Sequence, residues 1–347
     1  MVFAASMAVL TVITAVGLAV DDRTVAGSPV WFKPFKFSVS FAAYALSLAW
    51  MLSLLPRHRR TGWWAGTVVA VTSGIEMLLI TGQAARGRRS HFNNETPFDK
   101  ALFDTMAVTV VALWAGALVI AVLLFRTHQA DRALAWSLRV GSALSLMGAA
   151  IGFQMARPTP AQRAEARTGS PEVLGAHGVG VTDGSGPSMA LTGWESAGGD
   201  LRVPHFVGLH ALQILPFALL ALLMLAPRFA RLRDERVRLR LVLVASGAYS
   251  ALFALVTWQA LRGQALLSPD GATLGAAAAI LLAAAAGTWA ALRGASPPAG
   301  GTERRDRPAA TDTDAGPGPG PGPGSDAGVS AGADVSAGAG AGKEFAA

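Results

Sequence analysis

Eight long apolar stretches divide this chain of 347 residues. Each is long enough to cross a membrane, because a hydrocarbon core of about 30 Å needs about 20 apolar helical residues. Only 15% of the residues are charged, against about 25% in soluble domains, so an ordinary water-soluble globule is excluded. The chain is predicted to form an all-α polytopic transmembrane helix bundle of about eight spans. The spans are expected at about 3–20, 37–55, 63–83, 98–125, 137–156, 205–226, 239–260 and 272–292.

The first stretch, from Phe3 to Val20, has two interpretations. A secretory signal peptide carries basic residues before its apolar region and a small-residue cleavage site after it. Here no basic residue precedes the stretch, and Asp21, Asp22 and Arg23 follow it. We therefore expect a retained first span, with a cleaved signal as the alternative.

Two segments lack the apolar residues to form spans. Residues 157–200 are rich in Gly, Pro, Ser and Thr and have little to bury, which predicts a flexible outer loop. Residues 293–347 are rich in Ala, Gly and Pro, with an alternating Gly-Pro run from Gly316 to Gly324. This composition predicts a disordered cytoplasmic tail. Residues 1–292 are thus expected to form the transmembrane bundle.

The absence of cysteine and the clustering of charge exclude several classes of protein. Without cysteine there are no disulfides, no thiol nucleophile and no cysteine-ligated zinc or iron–sulfur site. The net charge is +7, but the basic residues stand in short clusters between apolar stretches, unlike the basic face of a nucleic-acid-binding domain. The expected partners are the lipid bilayer and an anionic lipid or small solute, not a nucleic acid. The oligomeric state is left open.

Basic residues also indicate the side of the membrane that each loop occupies, since cytoplasmic loops are enriched in Lys and Arg. Arginines crowd the short connections after the second, fourth and sixth spans. The opposite loops carry basic residues that are spread more thinly. We therefore predict a multi-pass protein of the cell (plasma or inner) membrane, with both termini in the cytoplasm.

Aromatic residues and lysines alternate in the segment that precedes the second span. It reads Trp31-Phe32-Lys33-Pro34-Phe35-Lys36-Phe37. This pattern is typical of an interfacial anchor, in which Trp lies at the headgroups and Lys snorkels towards water.

The outer loop before the fourth span ends in a helix start. Thr96 is expected to cap the helix, with Pro97 at its first position and Asp99 completing a capping box. His91 and Asn93 lie just outside this cap and have no such structural explanation. They are therefore candidates for a functional role.

Polar residues enter the otherwise apolar sixth span. His205, His210 and Gln213 lie within it, and Asp200 precedes it. Residues five apart lie about 140° apart around a helix, so His205 and His210 are not expected to share a face. His210 and Gln213 are three apart and do share one, which makes Gln213 a candidate for ligand binding.

Ionisable residues on three spans are expected at a similar depth. At about 1.5 Å per helical residue from the outer ends, Glu76 and Asp104 lie about 10 Å deep and His210 about 9 Å deep. Gln154 and Gln259 stand near the outer ends of the fifth and seventh spans. Ionisable groups within spans are costly and tend to mark function. These carboxylates and glutamines are therefore candidates for ligand binding or a proton relay.

A Gln-x-x-Arg pattern ends the third, fifth and seventh spans, at 83–86, 154–157 and 259–262. Membrane proteins are often built from repeated hairpins. The same pattern in a cytoplasmic loop, at 129–132, favours the simpler interpretation of a polar residue and a snorkelling Arg at a helix end.

Three segments together resemble the signatures of a group of bacterial multi-span membrane proteins with no established activity. The resemblance covers roughly residues 1–290 and omits the tail. It implies a membrane protein of about eight helices and carries no activity over. The segments are Trp31-Phe32-Lys33-Pro34-x-Lys36-Phe37, Ser90-His91-Phe92-Asn93-x-x-Thr96-Pro97-Phe98-Asp99 and His205-Phe206-x-Gly208-Leu209-His210-Ala211-Leu212-Gln213.

The sequence leaves three functions open. The first is a metal or haem site near the outer face, since imidazole and carboxylate suit Zn, Cu or Fe. Its candidate ligands are His91, His205, His210 and Asp200. The second is a permease or proton-coupled carrier with Glu76 and Asp104 as its protonatable pair. The third is a non-catalytic membrane component that binds a lipid or a partner. The sequence has no nucleophile–base pair and no phosphate-binding glycine loop. Whether the protein is an enzyme stays open.

Overall fold

A computed structural model describes residues 1–184, 186–190 and 192–293. Within these residues, eight helices are long and apolar enough to cross a membrane. The expected all-α bundle is confirmed, and the chain is a polytopic integral membrane protein. The long helices are α1 (Val2–Val20), α2 (Phe32–Ser53), α3 (Arg59–Ala85), α4 (Pro97–Arg126), α5 (Arg132–Met155), α7 (Arg202–Leu225), α8 (Glu235–Leu261) and α9 (Gly271–Arg293).

Short elements occupy the connections between the long helices. Two small antiparallel pairs form, β1 with β2 and β3 with β4. The short elements are β1 (Thr24–Val25), β2 (Ser28–Pro29), α6 (Pro160–Glu165), β3 (Gly178–Val179), β4 (Gly199–Asp200) and a 3-10 turn (Ala230–Arg233).

The observed helices match the predicted spans to within a few residues at most ends. The largest differences are at the starts of α2 and α5, which begin at Phe32 and Arg132 rather than near residues 37 and 137. Lys33 and Lys36 therefore lie inside the helix and not before it. The predicted tail, 293–347, lies outside the described residues except for Arg293, which ends α9.

The connections α1–α2, α3–α4, α5–α7 and α8–α9 meet at one end of the bundle, here called the loop face. Arg23 Nη1 donates to the carbonyl of Ala85 at 3.1 Å, and Asn94 Nδ2 donates to the carbonyl of Pro171 at 2.8 Å. Gly199 packs directly on the end of α8. The other end, the arginine face, carries the arginine-rich connections α2–α3, α4–α5 and α7–α8.

The described residues between 157 and 201, here called the cover segment, fold over the loop face. The sequence predicted a flexible loop with little to bury, yet Glu195 is 4% and Asp200 3% exposed. Thr159 and Gln162 form a capping box at the start of α6. Gln162 Nε2 also donates to the carbonyl of Gly175 at 2.9 Å. Backbone and side-chain hydrogen bonds, which composition does not reveal, hold this segment on the loop face.

α5 and α7 cross where two glycines meet. A Cβ atom on Gly208 would lie 2.5 Å from the Cα of Gly148, so any larger residue would push the helices apart. Small residues allow this kind of close approach between membrane helices. The crossing brings the carbonyl of Gly148 within reach of side chains on α7.

The Gln-x-x-Arg pattern has the same structure at two of its three sites. Gln83 Nε2 donates to the carbonyl of Arg89 at 3.1 Å, and Gln259 Nε2 donates to the carbonyl of Ala265 at 2.9 Å. In both cases the acceptor is six residues further along the chain. Gln154, in contrast, is exposed and makes no side-chain hydrogen bond within the described residues.

The arginines of the same two sites form corresponding ion pairs. Arg86 Nη1 lies 2.8 Å from Asp99, in the first turn of α4, and Arg262 Nη2 lies 2.5 Å from Asp270, just before α9. Each arginine therefore ties the end of one helix to the start of the next. Gln83 and Gln259 thus stabilise hairpins, and neither needs a ligand to explain it.

Candidate functional site

An elongated cavity enters the bundle from the loop face, with a volume of about 620 Å³. One face of α2 lines it along its whole depth, since residues at helical spacing lie on one side of a helix. These residues are Lys33, Phe37, Ser40, Tyr44, Leu48 and Met51. From the first to the last, this face is about 27 Å long. The cavity is therefore long enough to extend through most of the thickness of a hydrocarbon core.

The deep end of the cavity is apolar and closed. Leu48, Met51, Ile120 and Leu212 line it and also belong to a buried hydrophobic cluster. The cluster continues towards the arginine face through Leu55, Ala65, Val69, Leu124 and Leu138. The cavity thus has a wide polar entrance and a closed hydrophobic end.

Two cations at the entrance have no hydrogen-bond or ion-pair partner among the described residues. Lys33 and Arg89 both line the cavity. Within the described residues, neither side chain makes a hydrogen bond or an ion pair; Lys33 Nζ lies 5.8 Å from the centre of the Phe37 ring. A charge in partly apolar surroundings without a counter-charge in direct contact is costly, and Lys33 has only the longer-range attraction of Glu76 and Asp183. These two side chains therefore form a positively charged entrance that favours an anion.

The other cations near the entrance are already paired. Arg202 makes a bidentate ion pair with Asp200, with its shortest distance 2.6 Å. Asp200 also accepts from the backbone N–H of Glu195 at 2.7 Å. Lys36 Nζ donates to the carbonyl of Thr192 at 2.7 Å, so it ties α2 to the cover segment instead of snorkelling as an anchor.

His91 lines the cavity inside an aromatic cluster. Its ring lies 6.1 to 6.3 Å from the rings of Phe37, Phe92 and Phe103. Its Nδ1 is 3.1 Å from the hydroxyl of Ser90. Burial holds the pKa of His91 well below its ordinary value, and nearby Lys33 and histidines lower that pKa further. The imidazole is therefore neutral at pH 7.

His177 belongs to the cover segment and lies near His91. It is not among the candidate residues predicted from the sequence. Its Nδ1 lies 2.6 Å from a carboxylate oxygen of Asp183, and its ring centre is 5.0 Å from that of Phe92. Burial lowers the pKa of His177, although Asp183 opposes the shift. Burial would raise the pKa of Asp183, but hydrogen bonds from His177 and the backbone N–H of Gly178 hold it well below its usual range. The feature of the sequence that could have pointed to His177 is the Asp183-Gly184 turn, which begins six residues after it.

His205 and His210 enter the cavity from α7. His205 Nδ1 lies 2.7 Å from the carbonyl of Gly148. A carbonyl only accepts, so Nδ1 carries the hydrogen and Nε2 has the free lone pair. His210 stacks on Phe206 at 6.1 Å between ring centres. The sequence placed the two histidines on different faces, but both line the cavity because α7 presents a wide arc of its surface to it.

His91, His177 and His205 share one arrangement: each uses Nδ1 for a protein partner, and within the described residues none of their Nε2 atoms has one. Metal-binding histidines are often oriented in this way. However, no three His, Asp or Glu side chains of the described residues are grouped so as to hold a metal ion. Asp200, a candidate ligand, is occupied by Arg202. The geometry therefore gives no support to the metal or haem hypothesis.

The two predicted relay carboxylates do not lie together. Glu76 is 3% exposed, lines the cavity and accepts a hydrogen bond from the hydroxyl of Thr109. The side chain of Asp104 is 60% exposed and pairs with Lys100 at 2.6 Å. Asp104 is not among the residues that line the cavity. Of the predicted pair, only Glu76 is placed to meet a ligand.

The loop before α4 is held by the residues that the sequence picked out around its cap. Thr96 caps α4 as predicted, accepting from the backbone N–H of Asp99 at 3.1 Å. The carboxylate of Asp99 accepts from Thr96, Gln83 and Arg86. Asn93, for which the sequence offered no structural explanation, is fully buried, and its Nδ2 donates to the carbonyl of Arg89 at 2.9 Å. These residues position His91 and Arg89 at the entrance.

No protein-family model, curated protein or solved structure matches this chain.

Proposed function

We propose that this integral membrane protein binds a lipid-like anion, with the charged head at the entrance of the cavity and the chain directed into the bundle. The observation that carries the proposal is the gradient of polarity along one continuous cavity. Unpaired Lys33 and Arg89 stand at its entrance, and Leu48 and Met51 line its closed end. An amphipathic anion matches both ends at once.

The entrance supplies two kinds of contact to a charged head. The cations attract its negative charge. The Nδ1 atoms of His177 and His205 donate to a carboxylate and a carbonyl, so their free Nε2 atoms accept hydrogen bonds from its hydroxyl or protonated groups. The N-terminus of α2, with its positive dipole end, also lies at this face.

The other two functions considered from the sequence have less support. Glu76 lines the cavity, but Asp104, its predicted partner in a proton relay, lies outside. The metal hypothesis lacks a group of ligands within the described residues. A lipid-binding role requires no groups beyond the residues that line the cavity.

We also propose that the loop face is extracytoplasmic, because arginines crowd the short connections of the opposite face. The chain has no cysteine, so single cysteines can be introduced as unambiguous labels. In intact cells, a membrane-impermeant maleimide should label a Glu95→Cys variant and leave an Arg60→Cys variant unlabelled. The reverse pattern would invert the orientation.

Equilibrium binding of a radiolabelled long-chain fatty acid to the purified protein in non-ionic detergent tests the proposed function. The double variant Lys33→Gln, Arg89→Gln should bind at least about tenfold more weakly, since it loses two charge-assisted contacts. The control is Lys100→Gln, which removes a lysine of the loop face that pairs with Asp104 outside the cavity. It should bind normally.

Two further samples separate the alternatives. Acetate carries the same head without a chain, and it should not compete at concentrations where the fatty acid saturates. Equal affinity in the double variant and the control would contradict the proposal. So would a fatty-acid-free protein that holds one equivalent of metal, lost in a His205→Ala variant, because that result would restore the metal hypothesis.

A further inference from the structure

A layer of polar side chains crosses the cavity halfway down, between the charged entrance and the apolar end. Its members lie about 14 to 20 Å below the loop-face ends of their helices, at about 1.5 Å per residue. They come from four helices and line the same cavity. The members are Tyr44 of α2, Glu76 of α3, Ser142 and Ser145 of α5 and Gln213 of α7.

The tyrosine of this layer has an unused hydroxyl. The chain has two tyrosines. Tyr249 donates to the carbonyl of Val207 at 2.7 Å, as a buried tyrosine normally does. Tyr44 lines the cavity, and its hydroxyl makes no hydrogen bond within the part of the chain that the structure describes. A donor is therefore available in the middle of the membrane.

The two serines of α5 are unusual in the same way. Helical Ser and Thr hydroxyls commonly donate to a carbonyl three or four residues earlier, as Ser47 and Thr72 do. Ser142 and Ser145 make no such bond among the described residues, although they are only 4% and 5% exposed. Being three apart, they lie on one side of α5, which is the side that lines the cavity.

The remaining two members supply acceptors. With its amide oriented by hydrogen bonding, Gln213 donates to the carbonyls of Leu209 and His210 on its own helix. Its amide oxygen is then an acceptor, with the side chain of His210 within hydrogen-bond reach of the same amide. One carboxylate oxygen of Glu76 accepts from Thr109, which leaves the other oxygen available. The layer thus presents donors and acceptors together, as a hydroxyl or carbonyl group requires.

We infer that this middle layer is a second polar site, which binds a hydroxyl or carbonyl group carried on the chain of the bound anion. The inference rests on the proposed function and narrows its ligand to an amphiphile that is oxygenated part-way along its chain. The spacing is fixed by α2, because Lys33 and Tyr44 lie on the same helix face about 16 Å apart. A plain hydrocarbon chain would pass the layer and leave these buried groups without partners, which is unfavourable.

Fatty acids of one chain length, each with a single hydroxyl at a different carbon, test this inference. Affinity for the purified protein should peak at one interior position, about fivefold above the unsubstituted chain, as one net hydrogen bond provides. The double variant Tyr44→Phe, Ser145→Ala should lose the peak and keep its affinity for the unsubstituted chain. The control is Ser246→Ala, which removes another buried, unpartnered hydroxyl that does not line the cavity. It should keep the peak.

The outcomes separate the two proposals. Binding of every chain with equal affinity would overturn the inference, since the layer would then be merely hydrated, and would leave the proposed function intact. A peak that survives in the Tyr44→Phe, Ser145→Ala variant would also overturn the inference. Absence of binding by any chain would remove both proposals.

Discussion

The connections of the loop face and the wall of the cavity treat their buried polar groups in opposite ways. In the connections Asp99 accepts from three side chains, and Asp200 holds Arg202 with two oxygens. Glu195 of the cover segment, which also lines the cavity, keeps one carboxylate oxygen without a partner among the described residues. In the wall of the cavity, the side chains of Lys33, Arg89 and Tyr44 have no hydrogen-bond partners within the described residues. The hydrogen-bonded carboxylates of the connections stabilise the fold. The unpaired side chains of the cavity wall lower the stability unless a ligand forms hydrogen bonds or ion pairs with them.

This contrast separates residues that look alike in the sequence. Asp200 and Glu76 are both buried carboxylates, yet only Glu76 lines the cavity. The difference predicts opposite consequences when a member of each set is replaced.

The largest effect is expected from Asp200→Ala. It would leave Arg202 mostly buried without its counter-charge and would free the backbone N–H of Glu195. Breaking a buried ion pair on one side costs about 3 to 5 kcal/mol, so the melting temperature in detergent should fall by several degrees. The control Asp104→Ala breaks an exposed ion pair, worth well under about 1 kcal/mol. Similar melting temperatures for the two variants would show that the connections do not stabilise the fold.

The second effect is smaller and has the opposite sign. Lys33→Met removes an unpaired cation from the cavity and should leave the ligand-free protein as stable as before, or more stable by about 1 kcal/mol. The fatty acid should protect the native chain against heating and fail to protect this variant. A marked loss of stability in ligand-free Lys33→Met would show that Lys33 has a structural partner. It would contradict the difference between the connections and the cavity wall.

Much of the fold could be predicted because apolar length and capping chemistry are local properties of the sequence. The eight spans, the Thr96 cap and the helix-end role of Gln83 and Gln259 all follow from short stretches. The cover segment could not be predicted, because it is held by contacts between distant residues such as Lys36 and Thr192.

The candidate site was predicted in part for a related reason. Counting residues from a helix end gives the depth of a side chain but not its rotation around the helix. Glu76 and Asp104 were therefore predicted at the same depth, but only Glu76 lines the cavity. His177 was missed because it lies in an irregular segment, where neither depth nor periodicity applies. The resemblance to a group of bacterial membrane proteins, and the orientation in the membrane, stay predictions.

The smallest effect concerns the neutral histidines of the entrance. The pKa values of His91 and His177 lie below the ordinary value of about 6.5 in the folded protein, mainly because of burial. The unfolded chain therefore binds more protons as the pH falls through 6.5, so this contribution is present above that pH and is lost below it.

Between pH 7.5 and 6.0, a histidine whose folded pKa lies well below its ordinary value, as that of His91 does, should cost roughly 0.8 kcal/mol of stability. His91→Gln should flatten the decline of the melting temperature with falling pH by that amount. The matched control is His128→Gln, an exposed histidine of the arginine face, which should leave the slope unchanged. Since a bound anion favours the protonated imidazole, saturating fatty acid should also reduce the slope in the native protein. An equal slope with and without fatty acid would place His91 and His177 among the groups that hold the fold and not among those that meet the ligand.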